Sequence, residues 1–216
     1  MDHNELPQLS DEAVRVLGAL IEKSKTTPDY YPMSLNAVTA ACNQKSSRHP
    51  VVEYDEETVV IALNALKGRS LVAMAVGGTS RTNKYKHNFL TVYPVTDGEL
   101  AALCLLFLRG PLTPGEINSN SGRLHEFSSI ESVNEVLAKL AAHEPPFVKE
   151  LPKRSGQKEA RFTHLFAPVN ESLEPALAVE PARRSVSEME TRLEAVEKEL
   201  AGLKEKVEKL IKELMG

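Results

Sequence analysis

Residues 55–89 read DEETVVIALNALKGRSLVAMAVGGTSRTNKYKHNF. The acidic start suits a helix N-terminus, where unpaired backbone amides favour negative charge. Val59, Leu63 and Leu66 recur at helical spacing, so Asp55–Gly68 is expected to form a helix with one buried face. Leu71–Val76 and Lys84–Phe89 read as β-like segments flanking a Gly77-Gly78 turn region. A helix followed by a hairpin is the unit from which the rest of the chain is read.

The unit returns. Ser129–His143 places Val133, Val136, Leu137 and Leu140 inward. Phe147–Leu151 and Arg161–Phe166 then flank a turn around Ser155-Gly156. Both units have the same prelude. Ser10-Asp11-Glu12 caps a helix with Val14, Leu17, Leu20 and Ile21 on its apolar face. Thr96-Asp97-Gly98-Glu99 caps one with Leu100, Leu103 and Phe107. Caps and the Thr27-Pro28 and Thr113-Pro114 pairs recur at an offset of 86, the third helices at 74. Copy one therefore carries about twelve extra residues around its second helix, read at Ser34–Asn43 in copy one and Pro114–Ser121 in copy two. Three helices and a hairpin, twice, is the plan of tandem winged-helix domains: mainly α, with small β-hairpin wings and a helix-turn-helix in each copy. The expected domains are 8–94 and 95–168. Leu100–Leu108 is apolar all round, which places it between the two domains or in a dimer interface.

The C-terminal end has a different period. Val186, Met189, Leu193, Val196, Leu200, Leu203, Val207, Leu210 and Leu214 alternate spacings of three and four, an unbroken heptad seam among Glu and Lys. In a parallel in-register pair, Arg192 meets Glu197 and Glu199 meets Lys204. The antiparallel overlap sets Arg192 near Lys206 and Glu199 near its own copy. A parallel homodimeric coiled coil over 183–215 is expected; the alternatives are a helix folded back on its own chain or docked on another protein. Residues 169–182, with Pro175 and Pro181, read as a linker.

Composition narrows the function. The 216 residues are 42% hydrophobic and 26% charged, ordinary for a soluble globular chain. No apolar run is long enough for a membrane span, and Met1–Ser10 has neither the basic start nor the apolar stretch of a signal peptide. Cys42 and Cys104 cannot build a disulfide framework or a four-cysteine zinc site; a reduced cytoplasmic setting is expected, with both thiols in the core. Net charge is 0 over 1–94, −1 over 95–168 and −3 over 169–216, so no segment is globally basic.

No enzyme is read here. The six histidines form no metal pair, no Gly-rich loop opens a helix onto phosphate, and no cofactor or metal is expected. DNA association is the reading carried forward. Lys45 and Arg48 would anchor phosphate before the third helix, with Ser46 beside them and Gln44 reaching a base edge. Arg81, Lys84 and Lys86 would track the backbone from the first wing; Lys153, Arg154 and Lys158 from the second. Asp55-Glu56-Glu57 opposes deep insertion of the third helix. The same Asn-Gln-Lys-Ser-Ser-Arg block also reads as a turn, with Arg48 paired to a nearby carboxylate. The rival class is a protein-interaction scaffold on tandem winged helices without direct DNA binding.

A resemblance joins these features. Tyr31-Pro32, Leu35-Asn36 and the run Ala41-Cys42-Asn43-Gln44-Lys45-Ser46-Ser47-Arg48-His49-Pro50-Val51 form its first part. Leu108-Arg109-Gly110-Pro111, Thr113-Pro114-Gly115-Glu116 and Arg161-Phe162-Thr163-His164-Leu165-Phe166 complete it. Together they resemble the YceH family, bacterial proteins of unassigned function, across nearly the whole chain. The chain departs from many members in carrying His49 after the arginine. The resemblance implies two winged-helix domains and no assigned activity.

Overall fold

Ser10 accepts a hydrogen bond from the Ala13 amide and so starts α1 (Asp11–Thr26). This computed structural model describes residues 5–75, 83–153 and 159–169, all in the unit Met1–Val169. The linker, the heptad seam and both expected hairpin turns lie outside the described residues.

A single 3-10 turn (Pro28–Tyr30) leads to β1 (Met33–Ser34), and Ser34 caps α2 (Leu35–Cys42). Asp55 caps α3 (Glu56–Gly68), which is followed by β2 (Val72–Ala75) and β3 (Lys84–His87). The sheet runs β1-β3-β2, antiparallel, with Met33 opposite Tyr85 and Val72 opposite His87. After the short α4 (Phe89–Val92) the plan repeats with α5 (Asp97–Arg109), α6 (Pro114–Ser121), α7 (Ile130–Ala141), β4 (Val148–Glu150) and β5 (Phe162–His164). Thr96 with Glu99, Thr113 with Glu116 and Ser129 with Ser132 close reciprocal capping boxes. Val148 lies opposite His164, and a Leu112–Phe162 bridge stands where β1 stands in copy one.

Three local expectations change. The strands expected over Lys84–Phe89 and Arg161–Phe166 end at His87 and His164; in copy one Asn88 opens a helical turn that buries Phe89. The two-residue β1 had no periodic signal. The Thr-Pro pairs are not equivalent: the Thr27 amide donates to Lys23 O at the C-terminal end of α1, whereas Thr113 is the N-cap of α6. The counterpart of Thr113 is Ser34, at an offset of 79. The extra residues of copy one are thereby divided among a longer α1 (16 residues against 13 in α5), a longer α1–α2 connection and a longer α2–α3 loop.

The two copies share one continuous core, and its seam runs along α1 and α5. All of Leu100–Leu108 is buried, as a helix packed on several sides requires. Gly18 of α1 and Cys104 of α5 occupy equivalent repeat positions, and they meet: the Cys104 thiol reaches Gly18 O at 3.5 Å. Equivalent Phe89 and Phe166 also meet, with ring centroids 5.6 Å apart. Self-meeting pairs are what a two-fold-like packing of two copies produces.

Gly18 is small because the crossing is close. A Cβ there would lie 3.0 Å from Leu108 and from Phe107 Cβ. Gly18→Ala is expected to destabilise by about 1–3 kcal/mol in urea unfolding, the usual cost of overpacking. Gly68→Ala is the control and should cost nothing, because a Cβ at Gly68 would meet no atom within 4 Å. Equal behaviour of the two would show that the helices part freely at Gly18.

Candidate nucleic-acid interface

The expected contact residues of copy one begin where α2 ends. The Asn43 amide donates to Tyr54 O at 2.7 Å, and its oxygen accepts from the Tyr54 amide at 2.8 Å. That reciprocal pair closes the loop between them. Beneath the loop lies α1. Arg15 donates to Cys42 O at 3.3 Å and to Pro50 O at 2.6 Å, holding both ends of the segment. The His49 amide donates to Leu108 O at 2.9 Å, tying the loop to the end of α5.

Arg48 points into this base. Its two terminal nitrogens contact both Glu22 oxygens, at 3.0 and 2.7 Å, in a bidentate pair. It also donates to Ala41 O at 3.2 and 3.0 Å and to Ser47 O at 3.0 Å. Its side chain is 0% exposed and that of Glu22 14%. Two cations thus meet the C-terminal carbonyls of α2, where the helix dipole is negative. Burial pushes the Glu22 carboxyl up, but Arg48 and Lys23 outweigh it and hold it below the usual carboxylate range. Burial lowers Arg15 and pushes the Cys42 thiol up to about 12, which leaves that thiol un-ionised at neutral pH.

The expected phosphate anchors therefore separate. Arg48 is interior, with its donors engaged by Glu22 and by backbone carbonyls, and it does not present a charge to solvent. Lys45 and Ser46 are exposed. Gln44 is half-buried and accepts from Lys23 at 3.3 Å. Lys84 and Lys86 are exposed and two residues apart on β3, hence on one face, while Tyr85 and His87 turn inward. Lys153 is exposed beyond β4. Among the described residues, none of Lys45, Lys84, Lys86 or Lys153 carries an ion pair. Arg81, Arg154 and Lys158 lie outside the described residues. Arg161 pairs with Glu116 at 3.2 Å.

Arg15 and Glu22 were not singled out from the sequence. A signal was present: they are seven residues apart, two helical turns, and Arg15 interrupts the apolar run Val14–Ile21. Among the described residues, no three His, Cys, Asp or Glu side chains form a metal-ligand group, and no helix is long and apolar enough to cross a membrane.

The molecule so far belongs to a class: a mainly helical chain with small antiparallel hairpins, built from one plan used twice. Comparison with known proteins narrows it. The family described as "Protein of unknown function, DUF480" matches residues 9–157. A UPF0502 protein of Opitutus terrae is 47% identical over 184 residues, covering 84% of this chain and 80% of the relative. One from Geotalea uraniireducens is 45% identical, over 90% and 89% of the two chains. A third, from Shewanella loihica, is 40% identical over 94% and 98%. The chain belongs to this uncharacterised bacterial family, the one that the resemblance to YceH denotes.

Proposed function

We propose that the protein is a non-enzymatic, DNA-associated, transcription-regulator-like protein with two winged-helix modules, dimerised by its C-terminal heptads. The observation that carries this reading is the repeated order of three helices and an antiparallel hairpin, with Lys84 and Lys86 exposed on one face of β3. Lys45 before α3 and Lys153 beyond β4 extend the same chemistry. The exposed Asp55, Glu56 and Glu57 repel phosphate at the start of α3. Contact therefore runs through the loop and hairpins, and affinity rests on the sugar-phosphate backbone more than on base edges.

The test is fluorescence anisotropy of a labelled mixed-sequence duplex across a salt series. Four lysines neutralising four phosphates give a slope of log K against log salt of about −3.6. Lys84→Ala/Lys86→Ala is expected to reduce that slope by about 1.8. Absence of wild-type binding at 50 mM salt would remove the DNA reading.

A further inference from the structure

The α2–α3 connection is thirteen residues long, against eight between α6 and α7. Copy two shows that the three-helix plan closes without the extra length. Yet this loop is held by two interior arginines, a bidentate ion pair, the Asn43–Tyr54 pair and a tie to α5. A long loop held this firmly is of the kind that carries function.

Its outer end has a matching chemistry. Lys45, Ser46 and Ser47 are all exposed. Ser47 stands at φ 59°, in the left-handed region that serine seldom adopts, with its carbonyl held by Arg48. None of the backbone amides of Gln44–Arg48 donates to an acceptor among the described residues. A cation, two hydroxyls and a run of free amides on a fixed loop are donors for phosphate oxygens.

We propose that residues 44–48 are a phosphate clip for duplex DNA, in which Lys45, Ser46, Ser47 and the loop amides make the contacts, while Glu22, Arg15 and Arg48 are positioning residues that set its shape. This rests on the DNA reading above. Arg48 contributes geometry, not surface charge, which reverses the role that its type and place in the sequence suggest.

Glu22→Gln separates the two roles by sign. It removes a negative charge, so an electrostatic account has DNA binding unchanged or tighter. The clip predicts weaker binding, because the loop loses the carboxylate that seats Arg48. Loss of one phosphate contact amounts to about five- to tenfold at 0.1 M salt, with a slope shallower by about 0.9. Lys45→Ala should match it, and the double variant should lose little more. A merely structural role would lower the melting temperature and leave the salt slope unmoved. Hydrogen exchange on the wild type, with and without duplex, needs no variant and stands if Glu22→Gln fails to fold. It should show new protection across Gln44–Arg48. Duplex binding without that protection, or with Glu22→Gln binding as well as wild type, would overturn the clip and leave the DNA reading standing. No wild-type binding at all would overturn both.

Discussion

Arg48→Ala should cost about 3–5 kcal/mol of unfolding free energy at pH 7, the range for removing one partner of a buried ion pair. The loss has two sources. Glu22, 14% exposed, is left without the guanidinium that matched both its oxygens. Ala41 O at the end of α2 loses two donors at once. Lys23, 3.1 Å from Glu22, offsets part of the charge. Arg48→Lys should recover little, since an ammonium cannot hold Glu22 bidentately and reach Ala41 O in the same plane. The measurement is urea unfolding of the wild type, both single variants and Arg48→Ala/Glu22→Ala. A coupling energy well above 1 kcal/mol is expected. A single-variant loss below about 1 kcal/mol, the value of an exposed pair, would show that solvent reaches the site freely.

Acidification is the second large effect. His87 and His164 hold equivalent places, each opposite the first residue of the preceding strand, Val72 and Val148. His87 Nε2 lies 3.0 Å from the Ser24 hydroxyl, which itself donates to Ile21 O. His164 packs edge-on against Phe107, centroids 4.9 Å apart. The Nδ1 atoms of both are buried and find no partner among the described residues. Burial lowers each pKa from 6.5 to about 4, with Lys25 assisting at His87. Both rings are therefore neutral in the folded chain while the unfolded chain takes up protons below pH 6.5. Stability is full above that pH and is lost as pH falls from 6.5 towards 4. Each histidine costs about 1.4 kcal/mol per pH unit inside the window, so the two together cost roughly 4 kcal/mol between pH 7 and pH 5. Urea midpoints at pH 7, 6 and 5 measure this. His164→Phe, which cannot titrate, should remove about half of the fall. An unchanged fall would assign the acid sensitivity to other groups.

Much of the architecture was legible because it rests on local signals. The caps at Ser10 and Thr96 and the apolar positions of α1, α3, α5 and α7 depend on residues within a turn or two of each other. The structure retains all of them. The hairpin strands were visible as short β-like segments beside turn residues, although their ends were not: whether Phe89 continued a strand or entered a helical turn depended on the aromatic cluster that buries it. The Thr-Pro repeat misled because one dipeptide serves opposite ends of helices, and only the pairing of Met33 and Leu112 with their hairpins shows which positions correspond.

The candidate site divides in the same way. Lys45, Lys84, Lys86 and Lys153 were identified as surface cations from residue type and position, and a lysine stem with nothing to bury it stays in solvent. Arg48 has the same charge, one loop and three residues from Lys45. Its fate turned on Glu22, twenty-six residues away on another helix, and on the carbonyls at the end of α2. By itself the sequence determined the helices, their repeat and the family. Tertiary structure decided which cations face outward, because pairing and desolvation are properties of groups brought together only when α1, α2 and the loop have closed on one another.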